Sequence, residues 1–330
     1  MDIDVLRVSG KNQWKRLDEL TRARVLSGED IDELDRLYRS ATTDLARVRT
    51  VSPDPDVIAE LSRILSAARG RLAGTGGLTG AVIARFFVVS LPLALYRIRW
   101  VILGVMAVFI ALCAIQAHYM MTTPEAMNEL GSPERLRTYA QSEFVEYYSQ
   151  DTHAEFGVSV WANNAWITLI GIGTGITGFY PLKILWDNAV SLGTSAAVVI
   201  TYGGAWHFFR FILPHGVPEL TAVFISIATG LRIFWAFLVP GPASRFQAVG
   251  QAARAAMTVA VGCAILLAGS GFLEGFVTPS ELPDALKISL GLLLTVAAWA
   301  YILLLGRRAD RAGQSSDVGT DAGYYQPVSG

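Results

Sequence analysis

The chain has 330 residues, of which 52% are hydrophobic and 17% charged, with a formal net charge of −1. Its mean hydropathy is +0.40. Soluble domains carry about 25% charge, so this composition excludes an ordinary soluble protein. The lack of basic excess argues against a general nucleic-acid binder.

Charge is concentrated in residues 1–75, which read as a cytoplasmic helical region. Trp14, Leu17 and Leu20 recur at helical spacing, and Ile31, Leu34, Leu37 and Tyr38 form a second apolar stripe. Ser27 with Asp30 three residues later resembles a helix start. Thr50–Pro55 breaks the pattern, and Asp54 or Asp56 is placed to cap a third helix that runs to Leu72. Such amphipathic helices bury their stripes against each other, as a helical hairpin or a three-helix unit, or against a partner.

Gly74–Gly80 (GTGGLTG) reads as a hinge. Ala81–Arg99 is apolar but contains Arg85, Pro92, Arg97 and Arg99. This pattern favours a helix lying in the cytoplasmic interface over a membrane span. Residues 76–99 are thus expected to be hinge plus interfacial helix. Residues 100–306 form the transmembrane domain, and 307–330 a polar tail expected to be disordered.

Six apolar runs of bilayer length follow, at Trp100–Met120, Val160–Tyr180, Ile184–Gly203, Gly216–Leu238, Ala253–Phe272 and Ile288–Leu305. The predicted fold is all-α, a polytopic membrane bundle of six spans. Residues 1–99 hold sixteen Lys plus Arg, whereas the loop 122–159 holds two against seven acidic residues. This asymmetry places both termini in the cytoplasm and the protein in the cytoplasmic (inner) membrane. The start of the chain lacks the order of a secretory signal, so insertion is expected to use internal spans. Within the loop, Pro133–Gln150 is a predicted amphipathic helix carrying Leu136, Tyr139, Phe144 and Tyr147. Ala205–Pro214 reads as an aromatic interfacial segment on the outer side. Cys113 and Cys263 lie in apolar runs and read as small core residues.

Polar residues inside the spans fall into two expected layers. The outer one contains Asn163, Asn164, His215, Glu219 and Glu274; the inner one contains Asp187, Asn188 and Arg232. An Asp187–Arg232 ion pair or shared bond network is expected in the inner layer. His215 and Glu219 are four apart and share one helix face. A histidine with two carboxylates suits a metal site, a proton relay or acid–base work. Interhelical bonding is the plainer reading. HExxH, GxxxxGK[ST] and GxSxG are absent, which argues against a metalloprotease, an ATPase and a standard hydrolase. The sequence therefore predicts no catalytic residues, no cofactor and no bound metal. Gly171–Gly178 (GIGTGITG) lacks the strand–turn–helix context of a dinucleotide loop and reads as close helix packing. It permits self-association equally well.

Several segments together resemble the stage II sporulation protein M family (DUF95-type polytopic membrane proteins). They are Trp161–Gly178, Leu185–Gly193, Pro214–Leu220 (PHGVPEL), Ala228–Arg232 (ATGLR) and Glu274–Ser280 (EGFVTPS). Ala189 stands where that family often has glycine. The N-terminal WKRLDEL and LYRSATTDLARVR resemble the extension of actinobacterial members that do not sporulate.

The resemblance implies a non-enzymatic scaffold or assembly protein of the cell envelope. In endospore formers the family serves septal wall thinning and engulfment, by holding wall-remodelling partners. Members with the extension accompany MoxR-type ATPases, DUF58 proteins and RDD membrane proteins. The partners implied are membrane lipid, other envelope proteins and a cytoplasmic ATPase; sporulation itself does not transfer. Two other classes compete. One is an ion- or proton-coupled transporter or channel using Glu219, Glu274 and Asp187. The other is an intramembrane enzyme using His215 and Glu219.

Overall fold

The computed structural model describes residues 3–23, 26–51, 54–72, 80–144 and 153–316. The expected hinge up to residue 79, the end of the loop helix with Tyr147, and the tail beyond residue 316 lie outside the described residues. Among the described residues every regular element is helical. The chain divides into two compact units, the first reaching Ile83 and the second starting at Ala84.

The first unit packs three helices, α1 (Ile3–Arg22), α2 (Gly28–Val51) and α3 (Pro55–Leu72), each against the other two. It is therefore a three-helix bundle. Trp14, Leu17 and Leu20 meet Leu34, Leu37, Leu61 and Ile64 in one core. Ile31 is not part of it and stays 49% exposed. The Trp14 indole donates to Asp44 Oδ2 at 3.0 Å, joining α1 to α2. Asp54, not Asp56, caps α3 by accepting from the Asp56 and Val57 amides at 2.9 and 3.1 Å.

At the start of α2, the Ser27 amide and hydroxyl donate to Asp30 Oδ2 at 2.9 and 2.7 Å. The Asp30 amide donates back to Ser27 Oγ at 3.2 Å. These bonds from the Ser27 backbone and side chain hold the Asp30 carboxyl below its usual range. Because the folded value is the lower one, this contribution to stability is complete above the ordinary carboxylate range. It is lost as pH falls through the lowered folded value. Ser27→Ala should move the Asp30 titration back up in an NMR pH series, and an unmoved curve would contradict the assignment.

The boundary between the units falls inside α4 (Gly80–Arg85), which is followed by a π-turn (Phe86–Ser90) and α5 (Leu91–Arg97). Leu91–Leu95 are all buried, and Leu91 lies against Gly262. α6 (Arg99–Thr122) follows, then two short helices, α7 (Pro124–Leu130) and α8 (Pro133–Thr138), and a π-turn (Tyr139–Glu143). Leu136 and Phe144 are buried and pack on Ala196–Val199 and Phe208, so this loop segment caps the bundle.

The remaining helices are α9 (His153–Gly173), α10 (Phe179–Gly203), α11 (Ala205–Leu238), α12 (Arg245–Phe272) with a π-turn (Leu273–Val277), and α13 (Asp284–Arg311). Five helices are long and apolar enough to cross a membrane: α6, α10, α11, α12 with its π-turn, and α13. The predicted span Val160–Tyr180 falls mainly on α9, which is not one of the five. Its 21 residues include both Asn163 and Asn164, which lower its hydropathy. α9 nevertheless packs on α11 and α12. The Gly171–Gly178 stretch closes it against Gly230, as close helix packing requires.

The expected interfacial segment Ala205–Pro214 is not separate; it is the opening of the 34-residue α11, which runs through Pro214 and Pro218. That helix is central. Of its most apolar stretch 67% is buried, against 11% for α13, whose outer face is left for lipid. The fold is an all-α polytopic bundle organised around α11.

Candidate functional site

α11 carries His215 and Glu219 one turn apart, and the π-turn after α12 carries Glu274. Donor atoms of these three side chains lie within 4.8 Å of one another. His215 Nε2 stands 3.9 Å from Glu274 Oε1. Both residues are only 4% exposed, whereas Glu219 is half-buried. Asn164 on α9 supplies its amide as a hydrogen-bond donor beside Glu219.

Three residues that sequence reasoning missed complete the site. The Thr278 hydroxyl lies 3.1 Å from His215 Nδ1 and donates to the Leu273 carbonyl at 3.1 Å. Ser270 Oγ donates to the His215 carbonyl at 2.8 Å. Lys287, buried near the start of α13, donates from Nζ to the Thr278 carbonyl at 2.9 Å. A cation there suits the end of the preceding helix, where carbonyls lack intrahelical donors. Thr278 lies inside the EGFVTPS segment, so its motif was visible but its role was not. Lys287 falls one residue before the predicted span Ile288–Leu305, so nothing in the sequence marked it as buried.

The π-turn explains how one short stretch serves both groups. An extra residue enters the turn, so the Thr278 amide bonds to the Leu273 carbonyl at 2.8 Å, five residues back. Glu274 and Thr278 both point inward as a result and are both buried. Insertions of this kind concentrate at functional positions.

The hydroxyl of Thr278 has one proton, and it goes to Leu273. Its lone pair therefore accepts from His215 Nδ1–H, and Nε2 bears the imidazole lone pair toward Glu274. Glu274 Oε2 is buried with no hydrogen-bond partner. Two adjacent buried carboxylates need positive charge, as a proton or a cation. Chemically the arrangement suits ion ligation, proton holding, or plain locking of α9, α11, α12 and α13.

Of the predicted outer layer, Asn164, His215, Glu219 and Glu274 come together. Asn163 does not; its side chain is exposed on the other face of α9. The predicted inner layer does not assemble as expected. Asp187 pairs with Lys183 on its own helix, and no ion pair or hydrogen bond joins it to Arg232. Lys183 is one turn away and captures the carboxylate locally, which costs less ordering than a partner on another helix. Asn188 donates to the Ile184 carbonyl at 2.9 Å, again within α10, and Arg232 is exposed.

Residues 100–279 match the family model described as Stage II sporulation protein M. Residues 7–74 match a model described as a domain of unknown function, DUF8413. Neither a curated protein nor a solved structure matches the chain. The first match covers α6 through the π-turn and Thr278, including every residue of the buried cluster except Lys287. With more than half its length matched in this way, the chain, a polytopic membrane protein, belongs to the stage II sporulation protein M family.

Proposed function

We propose that the protein is a non-enzymatic scaffold or assembly protein of the cell envelope. The observation that carries this reading is where the polar bonds go. Those of the buried site join one element to another: Ser270 to His215, His215 to Thr278 and Lys287 to Thr278. His215 and Glu274 are 4% exposed, so a substrate has no approach to them in this conformation. Groups used this way fix a rigid bundle, and a rigid bundle suits holding partners.

In this reading the protein resides in the cytoplasmic membrane with both termini inside. The basic residues of 1–99 and the arginines after Leu305 support that orientation. It needs an even number of crossings, with α9 as the sixth alongside its neighbours α11 and α12. The segment 84–97 then packs into the cytoplasmic half of the bundle, with Leu91 against Gly262 and Arg97 paired with Asp310 at 3.5 Å. The separate three-helix unit docks a cytoplasmic partner, and a MoxR-type ATPase is the candidate that the family resemblance supplies. The capping segment 124–143 faces envelope proteins.

The test is affinity capture from native membranes after cross-linking, with the whole chain and with a chain lacking residues 1–75. A defined set of envelope partners is expected from both, and a cytoplasmic ATPase from the whole chain alone. Recovery of no specific partner in either case would sink the reading. A second reading, an ion- or proton-coupled transporter, draws on the unpaired Glu274 oxygen. Ion flux in proteoliposomes that disappears in Glu219→Gln would favour it.

A further inference from the structure

We infer that His215, Glu219 and Glu274 bind one divalent cation of the zinc class, as a structural site inside the bundle. Three independent features of the cluster converge on this. The first is distance. Zinc bonds of about 2.1 Å place the donors of a tetrahedral site roughly 3.4 Å apart. The 3.9 Å between His215 Nε2 and Glu274 Oε1 approaches that spacing, and all three donors lie within 4.8 Å of one another. Binding one ion would draw the widest-spaced donors together by up to about 1.4 Å.

The second is orientation. A histidine that binds metal through one nitrogen gives the other N–H to an outer acceptor, which fixes the ring and its tautomer. Thr278 is that acceptor, at 3.1 Å from Nδ1. Its own proton is committed to Leu273, so the ring presents the Nε2 lone pair on the side of the carboxylates. Asn164 holds the Glu219 carboxylate in the same outer-shell manner.

The third is charge. Glu274 is 4% exposed, and its Oε2 is buried without any hydrogen-bond donor. Lys287 directs its ammonium to the Thr278 carbonyl and makes no ion pair with either glutamate. A divalent cation supplies the missing positive charge to both carboxylates at once. The donor set selects its class: one imidazole and two carboxylates are too nitrogen-rich for calcium or magnesium and lack the sulfur of a Cu(I) site. The inference stands apart from the scaffold reading, since a buried structural ion is compatible with any of the activities considered.

The test uses the full-length protein in detergent, purified without chelator, stripped with EDTA, then titrated with Zn2+ or Co2+ alone. The expected result is uptake of about one metal per chain, with visible cobalt absorption of a four- or five-coordinate site. Glu274→Gln should abolish the absorption and lower uptake at least about tenfold. Asn163→Ala, at the exposed position outside the cluster, should bind as wild type does. Monodisperse stripped wild-type protein that takes up less than about a tenth of an equivalent overturns the proposal. So does a Glu274→Gln protein that binds like wild type. The first of these needs no variant, so misfolding of Glu274→Gln leaves the proposal exposed to refutation. A proton shared by the two carboxylates, the competing source of charge, yields that same negative titration.

Discussion

Gly291→Ala should cost at least about 3 kcal/mol, at or above the upper end of what overpacking usually does. A Cβ at this position would lie 2.0 Å from the Pro214 carbonyl oxygen and 3.0 Å from that of Leu213. Both obstacles are backbone, so no rotamer change relieves the clash. The close approach has a cause in the sequence of α11. Pro218 has no N–H, so the Pro214 carbonyl loses its intrahelical donor. The bare Gly291 backbone fills the space beside it, where a Cα–H contact to the oxygen is available.

Lys287 sits one turn before Gly291 on the same face of α13. Displacing that helix therefore also withdraws the ammonium from the Thr278 carbonyl, 2.9 Å away in the native bundle. The control is Gly104→Ala on α6, which meets nothing within 4 Å. Alanine there should be neutral or stabilising by up to about 1 kcal/mol, from helix propensity alone. Denaturation in detergent, followed by size-exclusion chromatography, measures both. A Gly291→Ala protein within about 0.5 kcal/mol of wild type would mean that α13 does not lie against Pro214 as described.

The architecture was legible because membrane insertion writes it in composition. Five of the six apolar runs coincide with helices able to cross a bilayer, since each must satisfy its backbone internally in lipid. α9 was marginal by hydropathy because Asn163 and Asn164 sit in its middle. Only one of the two is turned inward. Adjacent helix residues point about 100° apart, and the sequence does not say which faces the core.

His215 and Glu219 were legible as a pair from four-residue spacing alone. Depth in the membrane also put Glu274 in their layer; what no residue type announced was the π-turn that ends α12 and turns Glu274 and Thr278 inward together. The inner layer went astray for a related reason. Matching depth in the membrane put Asp187 and Arg232 in one layer, but depth says nothing about azimuth. Lys183, one turn away, was the nearer answer, and the i,i+4 rule alone would have found it.

The arrangement also explains why polar residues are tolerated at the centre of so apolar a bundle. Asn164, Ser270, Thr278 and Lys287 each come from a different element around α11: α9, α12, the residue after the π-turn, and α13. Each takes one bond to the His215–Glu219 turn or to a group that touches it. Polar groups bonded in this way specify which helix lies next to which, something that leucine contacts do poorly because many registers bury the same area.

His215→Ala should then destabilise the bundle by about 2–5 kcal/mol, the range for truncating a large buried side chain and leaving a cavity. The ring fills space, donates from Nδ1 to the Thr278 hydroxyl and faces the Glu274 carboxylate at 3.9 Å. Glu274→Gln alone should cost less, because the amide keeps the volume and removes the charge. The informative protein is the double variant. Once Glu274 is neutral, the loss of His215 no longer leaves a buried carboxylate facing an empty space. The double variant should therefore be more stable than the sum of the single effects predicts, by a coupling of about 0.5–3 kcal/mol. Denaturation of the four proteins under one detergent condition closes the cycle. Additivity within about 0.5 kcal/mol would show that His215 and Glu274 are neighbours without being partners. The buried cluster would then be three separate solutions to local bonding rather than the unit that ties the π-turn to the central helix.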